Sequence, residues 1–267
     1  MEEIVKNIPD IPEVVALDIE TTGLNSQEDR IVEIALVKIE NGITARLFSS
    51  FINPEKSIPL SGLPVNNIKP SMLSDAPRFR DIARRISEFV NGETLLIQNA
   101  DFDIPFLKAE FKRCSMEFPS TFVYDTLHIA KKLFSFEKNS LSYLAGFYNL
   151  DARDMHRAEK DARLAYEIFA RFYGEKPLEV LKLKRETAEI NYVDTRFILK
   201  IIEEAISHGR EICIKYINRN YEVTTRRIEP VKVFSENGKM YLDAFCSMKN
   251  ASRKFRLDKI LEVIDNI

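Results

Sequence analysis

Two carboxylates, two positions apart, lie in an apolar and β-branched run near the start of the chain. Asp18 and Glu20 fall within residues 13–20, and a Thr-Thr-Gly sequence at 21–23 ends the run, so the pattern predicts a buried strand. Residues i and i+2 of a strand point to the same face, so both carboxylates project together. Adjacent carboxylates repel each other unless a cation lies between them, and oxygen ligands suit Mg²⁺ or Mn²⁺. The spacing therefore predicts a divalent metal site.

Three more residues extend this acidic set and add a base. Asp103 follows a predicted strand at 94–98 and a tight loop, and a helix is predicted to start near it. His156 precedes Asp161 by five positions, where an apolar helical pattern begins. A histidine side chain, with an ordinary pKa of about 6.5, suits a general base at neutral pH. The elements that must position the set are therefore two strands and two helices.

The order and spacing of these residues resemble the histidine subgroup of the DEDD family of 3′–5′ exonucleases. The similarity covers residues 13–174 and lies in three motifs: Asp18-x-Glu20-Thr21-Thr22-Gly23-Leu24, Asn99-Ala100-x-Phe102-Asp103 and His156-x₄-Asp161. The resemblance implies an α/β, RNase H-like domain with a mixed sheet. β-rich runs at 13–20, 30–40, 44–52 and 94–98 predict a sheet of that kind.

The resemblance also implies a reaction and a role for each residue. Two Mg²⁺ or Mn²⁺ ions would be held by Asp18, Glu20, Asp103 and Asp161, and His156 would accept the proton of the attacking water. The expected reaction is hydrolysis of phosphodiester bonds at free 3′ ends of single-stranded nucleic acid, with DNA favoured. The residues expected to hold the terminal nucleotide are Thr21, Thr22, Gly23, Leu24, Asn99 and Phe102. Gln98 stands where the family has a histidine, a departure that concerns the substrate strand rather than the metal site.

A second unit is predicted after the exonuclease-like part. Residues 10–174 form the predicted exonuclease domain, and residues 175–194, which are charged and lack strand character, predict a helical linker. Residues 195–267 begin with a helical pattern up to Ser207 and continue with short β-rich runs separated by turn residues. This pattern predicts a small, twisted β barrel or sheet with one helix.

The second unit resembles a WYL domain, an Sm/SH3-like β fold found in bacterial regulators. The matching stretches are Ile214-x-Tyr216, Arg227-x-x-Pro230, Met240-Tyr241-Leu242 and residues 253–260, with Met240 in the place of the name-giving tryptophan. Such domains are implicated in sensing ligands and nucleic acid. The resemblance thus implies a binding role for Arg226, Arg227, Tyr241, Arg253, Lys254 and Arg256, although an ordinary solvated face fits the same residues. Strand alternation places Lys254 and Arg256 opposite Arg253.

Two functions of different classes fit these features. The first is a metal-dependent exonuclease whose C-terminal domain binds nucleic acid or a ligand. The alternative is a regulator that binds a nucleic-acid end and is controlled by a ligand of the WYL-like domain. His156 favours the enzyme, because a pure binder would not need a base. Open questions are DNA or RNA as substrate, a polymerase or repair protein as partner, the ligand of the second domain, and the oligomeric state.

Composition is that of a soluble globular protein, with 45% hydrophobic residues and a net charge of −2 in 267 residues. Cys114, Cys213 and Cys246 are widely spaced and form no CxxC pair, which argues against a zinc site or a disulfide framework and fits a reducing cytosol. No apolar run approaches the roughly 20 residues of a membrane span, and the start does not resemble a signal peptide. A cytoplasmic location without a membrane partner is expected.

Overall fold

The structure is a computed structural model that describes residues 11–56, 68–153, 155–190, 195–217, 223–236 and 239–264. It divides into two compact units, residues 1–191 and 192–267. Each unit has a hydrophobic core of its own. No helix among the described residues combines the length and apolar character needed to cross a bilayer.

A six-stranded mixed sheet in the order β3-β2-β1-β4-β5-β6 forms the centre of the first unit. Its strands are β1 (Val14–Thr21), β2 (Ile31–Glu40), β3 (Ile43–Phe51), β4 (Thr94–Ile97), β5 (Phe122–Asp125) and β6 (Arg185–Glu186). The first three form an antiparallel meander, whereas β1, β4 and β5 run parallel to one another. The predicted mixed sheet is confirmed. Because parallel strands end at the same edge of a sheet, the residues that follow β1 and β4 are brought to one place.

Helices cover both faces of this sheet. They are α1 (Pro70–Leu73), α2 (Phe79–Val90), α3 (Ala100–Arg113), α4 (Thr126–Leu133), α5 (Leu141–Phe147), α6 (Ala158–Glu175) and α7 (Pro177–Leu181). Along β1, Val15 and Leu17 belong to the core shared with α2 and α3, whereas Val14 and Ala16 belong to the core shared with α6. Burial on both faces explains why β1 is apolar at successive positions. Asp18 and Glu20 continue the row of Val14 and Ala16, which faces α6.

Helix α3 begins earlier than the sequence indicated. Its first residue is Ala100, and Asn99 precedes it with a left-handed backbone, φ 74°. Asp103 therefore lies in the first helical turn, where the helix dipole favours a negative charge. The early start also buries the Asp103 side chain, which is 3% exposed.

Residues 175–190, the described part of the segment 175–194 that was expected as a helical linker, contain a mixture of short elements. After α7, the strand β6 pairs antiparallel with β5, and a 3₁₀ turn spans Thr187–Glu189. The Thr187 N–H donates to the Thr121 carbonyl at 2.8 Å, and Ile190 is 2% exposed. This part of the segment is therefore bound into the first unit, because its strand pairing and burial come from residues far away in the chain.

The second unit combines one helix, α8 (Thr195–Ser207), with a five-stranded antiparallel sheet. The strand order is β10-β9-β8-β7-β11, formed by β7 (Ile212–Ile217), β8 (Val223–Glu236), β9 (Lys239–Cys246), β10 (Ala251–Arg256) and β11 (Ile260–Ile264). Ile198, Ile202 and Ala205 of α8 share a core with the sheet. The predicted helix and β-rich domain are confirmed. Strand β8 is the longest of the described strands of this sheet, and its register shifts after Pro230.

Candidate active site

The three sequence motifs meet at the carboxyl edge of the first sheet. Ligand atoms of Glu20, His156 and Asp161 all lie within 4.8 Å of one another. The pKa of Asp18 is raised well above its ordinary value, first by burial and then by the negative charges of Asp103, Asp161 and Glu20. Those electrostatic contributions require proximity, so the fold brings all five residues together.

Burial also raises the pKa values of two other carboxyl groups in this set. For Asp103, the nearby Asp125 adds to the effect of burial, while a hydrogen bond from the Ile19 backbone opposes it. For Asp161, hydrogen bonding from the His156 N–H opposes the effect of burial. A raised pKa means that the ionised form is disfavoured in the folded protein. The fold thus holds several carboxylates close together, and a bound cation would stabilise their ionised forms.

One oxygen atom of Asp161 offers a direct test of whether a metal ion fits. Its Oδ2 accepts a hydrogen bond from the His156 N–H at 3.1 Å. Its Oδ1 is buried and has no hydrogen-bond partner within the described part of the chain. Buried acceptors are normally satisfied, and oxygen ligands suit hard divalent cations. The donor set of Asp18, Glu20, Asp103 and Asp161 therefore fits a divalent metal ion.

His156 lies just before α6 with a side chain that is exposed to solvent. Its backbone is left-handed, with φ 67°. Non-glycine residues adopt this conformation at a cost, and it persists where surrounding contacts hold it. The bond from its N–H to Asp161 is one such contact. His156 is therefore held beside the carboxylates while its ring remains accessible to water.

Asp29, which the sequence analysis missed, shapes the loop after β1. Its carboxylate accepts hydrogen bonds from the Thr22 hydroxyl at 3.2 Å and from the Asn25 N–H at 3.0 Å. A Cβ atom on Gly23 would lie 2.3 Å from Asp29 Oδ2, so a larger residue there would displace the Asp29 carboxylate. Leu24, the next residue, is 86% exposed. The loop thus presents one large apolar side chain to solvent.

The two threonines of this loop were expected to contact substrate, but their hydroxyl groups bond within the loop. Thr21 Oγ1 donates to the Gly23 carbonyl at 2.6 Å, and Thr22 Oγ1 accepts from the Arg30 N–H at 3.0 Å. Both side chains are buried. Any contact of these residues with a nucleotide must therefore involve mainly their backbone, because the hydroxyl groups already hold the loop in shape.

Asp125 fixes the second motif as well as capping α4. Its carboxylate accepts hydrogen bonds from the backbone N–H groups of Leu127 and His128, as an N-cap residue does. It also accepts from the N–H groups of Asn99 at 3.0 Å and Ala100 at 3.1 Å. The second role was invisible in the local sequence, since the bonded residues lie about 25 positions earlier. Asp125 therefore ties the start of α3 to the end of β5.

Phe102 and Gln98 are both engaged within the first unit. The Phe102 ring packs on Phe106, with ring centroids 5.0 Å apart, and adjoins the α2–α3 core. The Gln98 amide donates to the Asn139 carbonyl at 3.1 Å, and its oxygen accepts from the Thr126 hydroxyl. Phe102 is thus part of the packing, and Gln98 joins the end of β4 to the 134–140 loop.

Glu33, which is buried, forms an ion pair with Arg157, the partly exposed residue that follows His156. Glu33 lies opposite Glu20 in the β1–β2 ladder and is 2% exposed. Arg157 Nη2 and Nε donate to Glu33 Oε1 at 3.0 and 3.2 Å. The Ala158 N–H donates to Oε2 at 3.3 Å. The sequence offered no signal for this pair, because its members are 124 residues apart.

In the second unit, the expected binding residues divide between the two faces of the sheet. Arg256 lies opposite Tyr241 in the β9–β10 ladder, whereas Arg253 lies opposite the buried Ala244. The predicted alternation is confirmed, and Arg253 and Arg256 therefore do not share a face. Arg226 lies opposite the buried Ile214, on the Arg253 side. Arg227, one residue later in β8, belongs to the other side.

The face of β8, β9 and β10 that carries Tyr241, Phe234, Lys254 and Arg256 is called the outer face below. The rings of Phe234 and Tyr241 stack with centroids 5.7 Å apart. Lys254 Nζ lies 4.9 Å from the Phe234 centroid and 5.4 Å from that of Tyr241. Lys254 also pairs with Glu236, and Arg256 pairs with Asp258. The outer face therefore combines aromatic rings with basic groups that have acidic partners.

Comparison with protein-family models assigns both units. Residues 15–169 match the RNase_T model, described as an exonuclease, and residues 198–264 match the WYL domain. Among curated relatives, the DNA polymerase III subunit epsilon of Treponema pallidum is 36% identical over 193 residues, 71% of this chain and 86% of that protein. The 3′-5′ exonuclease DinG of Bacillus subtilis is 30% identical over 208 residues, 77% of this chain but 21% of that protein.

Solved structures show a similar fold. The crystal structure of E. coli exonuclease I in complex with a dT13 oligonucleotide superimposes with a TM-score of 0.60 at 12% identity. The match covers 96% of this chain and 66% of that chain. At this level of identity the similarity concerns the fold alone.

Replacing Asp18 by Asn should raise the stability of the metal-free protein and abolish its stabilisation by metal. An acid whose pKa is raised by folding destabilises the protein as the pH rises above its ordinary value of 3.8, and removing the charge relieves this cost. Mn²⁺ at about 100 times its dissociation constant should stabilise the wild type by roughly 2.7 kcal/mol per site. Thermal melting at pH 7, with and without Mn²⁺, measures both effects. Asp75→Asn, far from the site in sequence and exposed, is the control; equal metal responses in all three proteins would contradict the site.

Proposed function

The chain belongs to the RNase_T family of exonucleases, and we propose that it removes nucleotides from the 3′ ends of single-stranded nucleic acid with the help of two Mg²⁺ or Mn²⁺ ions. The observation that carries this proposal is the gathering of Asp18, Glu20, Asp103, Asp161 and His156 at one edge of the sheet. The names of relatives support the 3′–5′ direction and DNA as the favoured substrate.

In this mechanism, the four carboxylates would bind the metal ions, and His156 moves a proton. Asp18, Glu20, Asp103 and Asp161 would hold the metal ions, which when bound lower the pKa of water and offset charge on the phosphate. His156, beside Asp161 and open to solvent, takes the proton of the attacking water. The left-handed backbone of His156 sets the direction in which its side chain leaves the chain. The departing 3′ oxygen leaves on the opposite side of the phosphorus, as in-line displacement requires.

The loop after β1 is the proposed contact for the terminal nucleotide. Gly23 lies tightly against Asp29, and Leu24 extends into solvent four residues after Glu20. An exposed leucine can pack against a base, since every base presents an apolar face. Asn99, exposed at the start of α3, is a second candidate contact.

The second unit is proposed to bind nucleic acid or a ligand rather than to catalyse a reaction. Stacked aromatic rings flanked by basic side chains are the groups that single-stranded nucleic acid needs. Phe234, Tyr241, Lys254 and Arg256 provide them on the outer face. Since relatives are named as polymerase subunits, a polymerase or repair protein is the proposed protein partner.

Degradation of an oligonucleotide should proceed from its 3′ end and require metal. We expect a 5′-labelled single strand to give a ladder of shorter labelled products with Mn²⁺, and no products with chelator. Single-stranded DNA, duplex DNA and RNA compared side by side will show the preferred substrate. Binding of the oligonucleotide without cleavage would contradict the enzyme and favour a regulator that binds nucleic-acid ends.

Substitution of His156 by Ala should lower the rate constant by roughly 10²–10⁴, the usual contribution of a general base. Substrate binding should persist, because His156 is proposed to act on the water rather than on the oligonucleotide. Single-turnover rates and fluorescence anisotropy measure the two properties. His208→Ala is the control, because His208 lies in the second unit and bonds to Glu204. A His156→Ala protein with the wild-type rate would disprove the role.

Substitution of Tyr241 by Ala together with Lys254→Glu should weaken binding of long single strands by about 1–3 kcal/mol, the contribution of one stacked base. The rate on short oligonucleotides should not change, because the outer face carries no catalytic residue. Arg253→Glu changes a charge on the opposite face and is the matched control. The fall of affinity with rising salt concentration should become less steep only in the outer-face variant. Equal effects of both variants would refute a binding site on that face.

A further inference from the structure

We propose that Glu33 is a positioning residue that sets the place of His156 through Arg157. The proposal rests on the proposed role of His156 as general base, and it assigns a function to a carboxylate that binds no metal in that scheme. Glu33 lies in β2, outside the three sequence motifs. It lies opposite Glu20 in the strand ladder, next to the site it would serve.

The contact between Glu33 and Arg157 joins a buried carboxylate to a guanidinium that is partly exposed. The Glu33 side chain is 3% exposed, so an unpaired charge there would lose its hydration without replacement. The guanidinium of Arg157 approaches it through both Nη2 and Nε, at 3.0 and 3.2 Å. Such a fork fixes direction as well as distance, which a lysine ammonium group would not do. The same guanidinium lies 5.0 Å from the ring centroid of Phe51 on β3.

The contacts of Glu33 fall on the two residues directly after His156. Besides Arg157, the Ala158 N–H donates to Glu33 at 3.3 Å, at the first residue of α6. On its other side, the His156 N–H donates to Asp161. The segment 156–158 is therefore tied to β2 at one end and to α6 at the other. These ties hold the left-handed backbone of His156, which would otherwise relax.

A second buried pair offers a matched control. Glu110 is 0% exposed and accepts from Arg30 Nε at 2.7 Å and Nη2 at 3.1 Å. The Ile31 N–H donates to it at 3.2 Å, as the Ala158 N–H donates to Glu33. The two pairs thus share a buried carboxylate, two hydrogen bonds from one guanidinium and a backbone contact, although Arg157 is more exposed than Arg30. Glu110 makes no contact with residues 156–158 in the described structure. Loss of either pair should lower stability, and only loss of the Glu33 pair should act on His156.

A double-mutant cycle separates the positioning role from a purely structural one. We expect Glu33→Gln to lower kcat, measured at saturating Mn²⁺, roughly 10–100-fold, as loss of an orienting contact does, with KM unchanged. In a His156→Ala background, Glu33→Gln should have no further effect on kcat. Glu110→Gln, by contrast, should change kcat by the same factor in both backgrounds. Equal factors in both backgrounds for Glu33→Gln, or a change in KM alone, would overturn the proposal.

A spectrum of the metal-free protein tests the same contact without catalysis. The chain has three histidines, so imidazole ¹H–¹⁵N signals can be assigned by the loss of one signal in His156→Ala. Glu33→Gln should shift or broaden the His156 signal, and Glu110→Gln should leave it in place; an unchanged signal in Glu33→Gln would refute the contact. Arg157→Lys replaces Glu33→Gln if the latter does not fold. A wild type that does not cleave nucleic acid would refute the proposed function, but the spectrum would still decide on the positioning of His156.

Discussion

Mutual repulsion between buried carboxylates is the constraint on which the first unit depends. Asp18, Asp103 and Asp161 all have raised pKa values, with burial as the largest cause for each. A flexible segment would relieve such repulsion by moving apart. Here the carboxylates stay together because β1 lies in the middle of the sheet, covered on both faces by apolar clusters. The hydrophobic core thus provides the stability that an arrangement ready for a cation requires.

The segments that carry the motifs are each held by a carboxylate that is not itself part of a motif. Asp29 bonds to the loop after β1, Asp125 to the start of α3, and Glu33 to the segment before α6. In every case at least one partner is a backbone N–H group, which fixes the path of the chain rather than a single side chain. Acidic residues therefore have two separate uses in this unit. Some lie in the candidate site, and others hold the segments that carry the residues of that site.

The second unit shows how sheet register decides which residues can act together. Arg253 and Arg256 are close in sequence, but the ladder with β9 places them on opposite faces. Phe234, which has no part in the WYL resemblance, instead joins Tyr241 because β8 pairs with β9 at that point. Because the register shifts after Pro230, Phe234 lies on the same face of the sheet as Tyr241. A binding surface in this unit is thus a property of three strands rather than of a basic stretch.

The sequence by itself determined the features that depend on short-range patterns. The strand with Asp18 and Glu20, the two strands after it and the helix that opens the second unit follow from alternation and periodicity within a few residues. Only the tertiary structure decided the contact of Glu33 with Arg157, the pairing of β6 with β5 and the continuity of β8. These features depend on residues that are distant in the chain and meet only after the sheets and their helices have packed. Local propensity does not identify such partners, because the free energy that selects them arises from burial and pairing in the folded state.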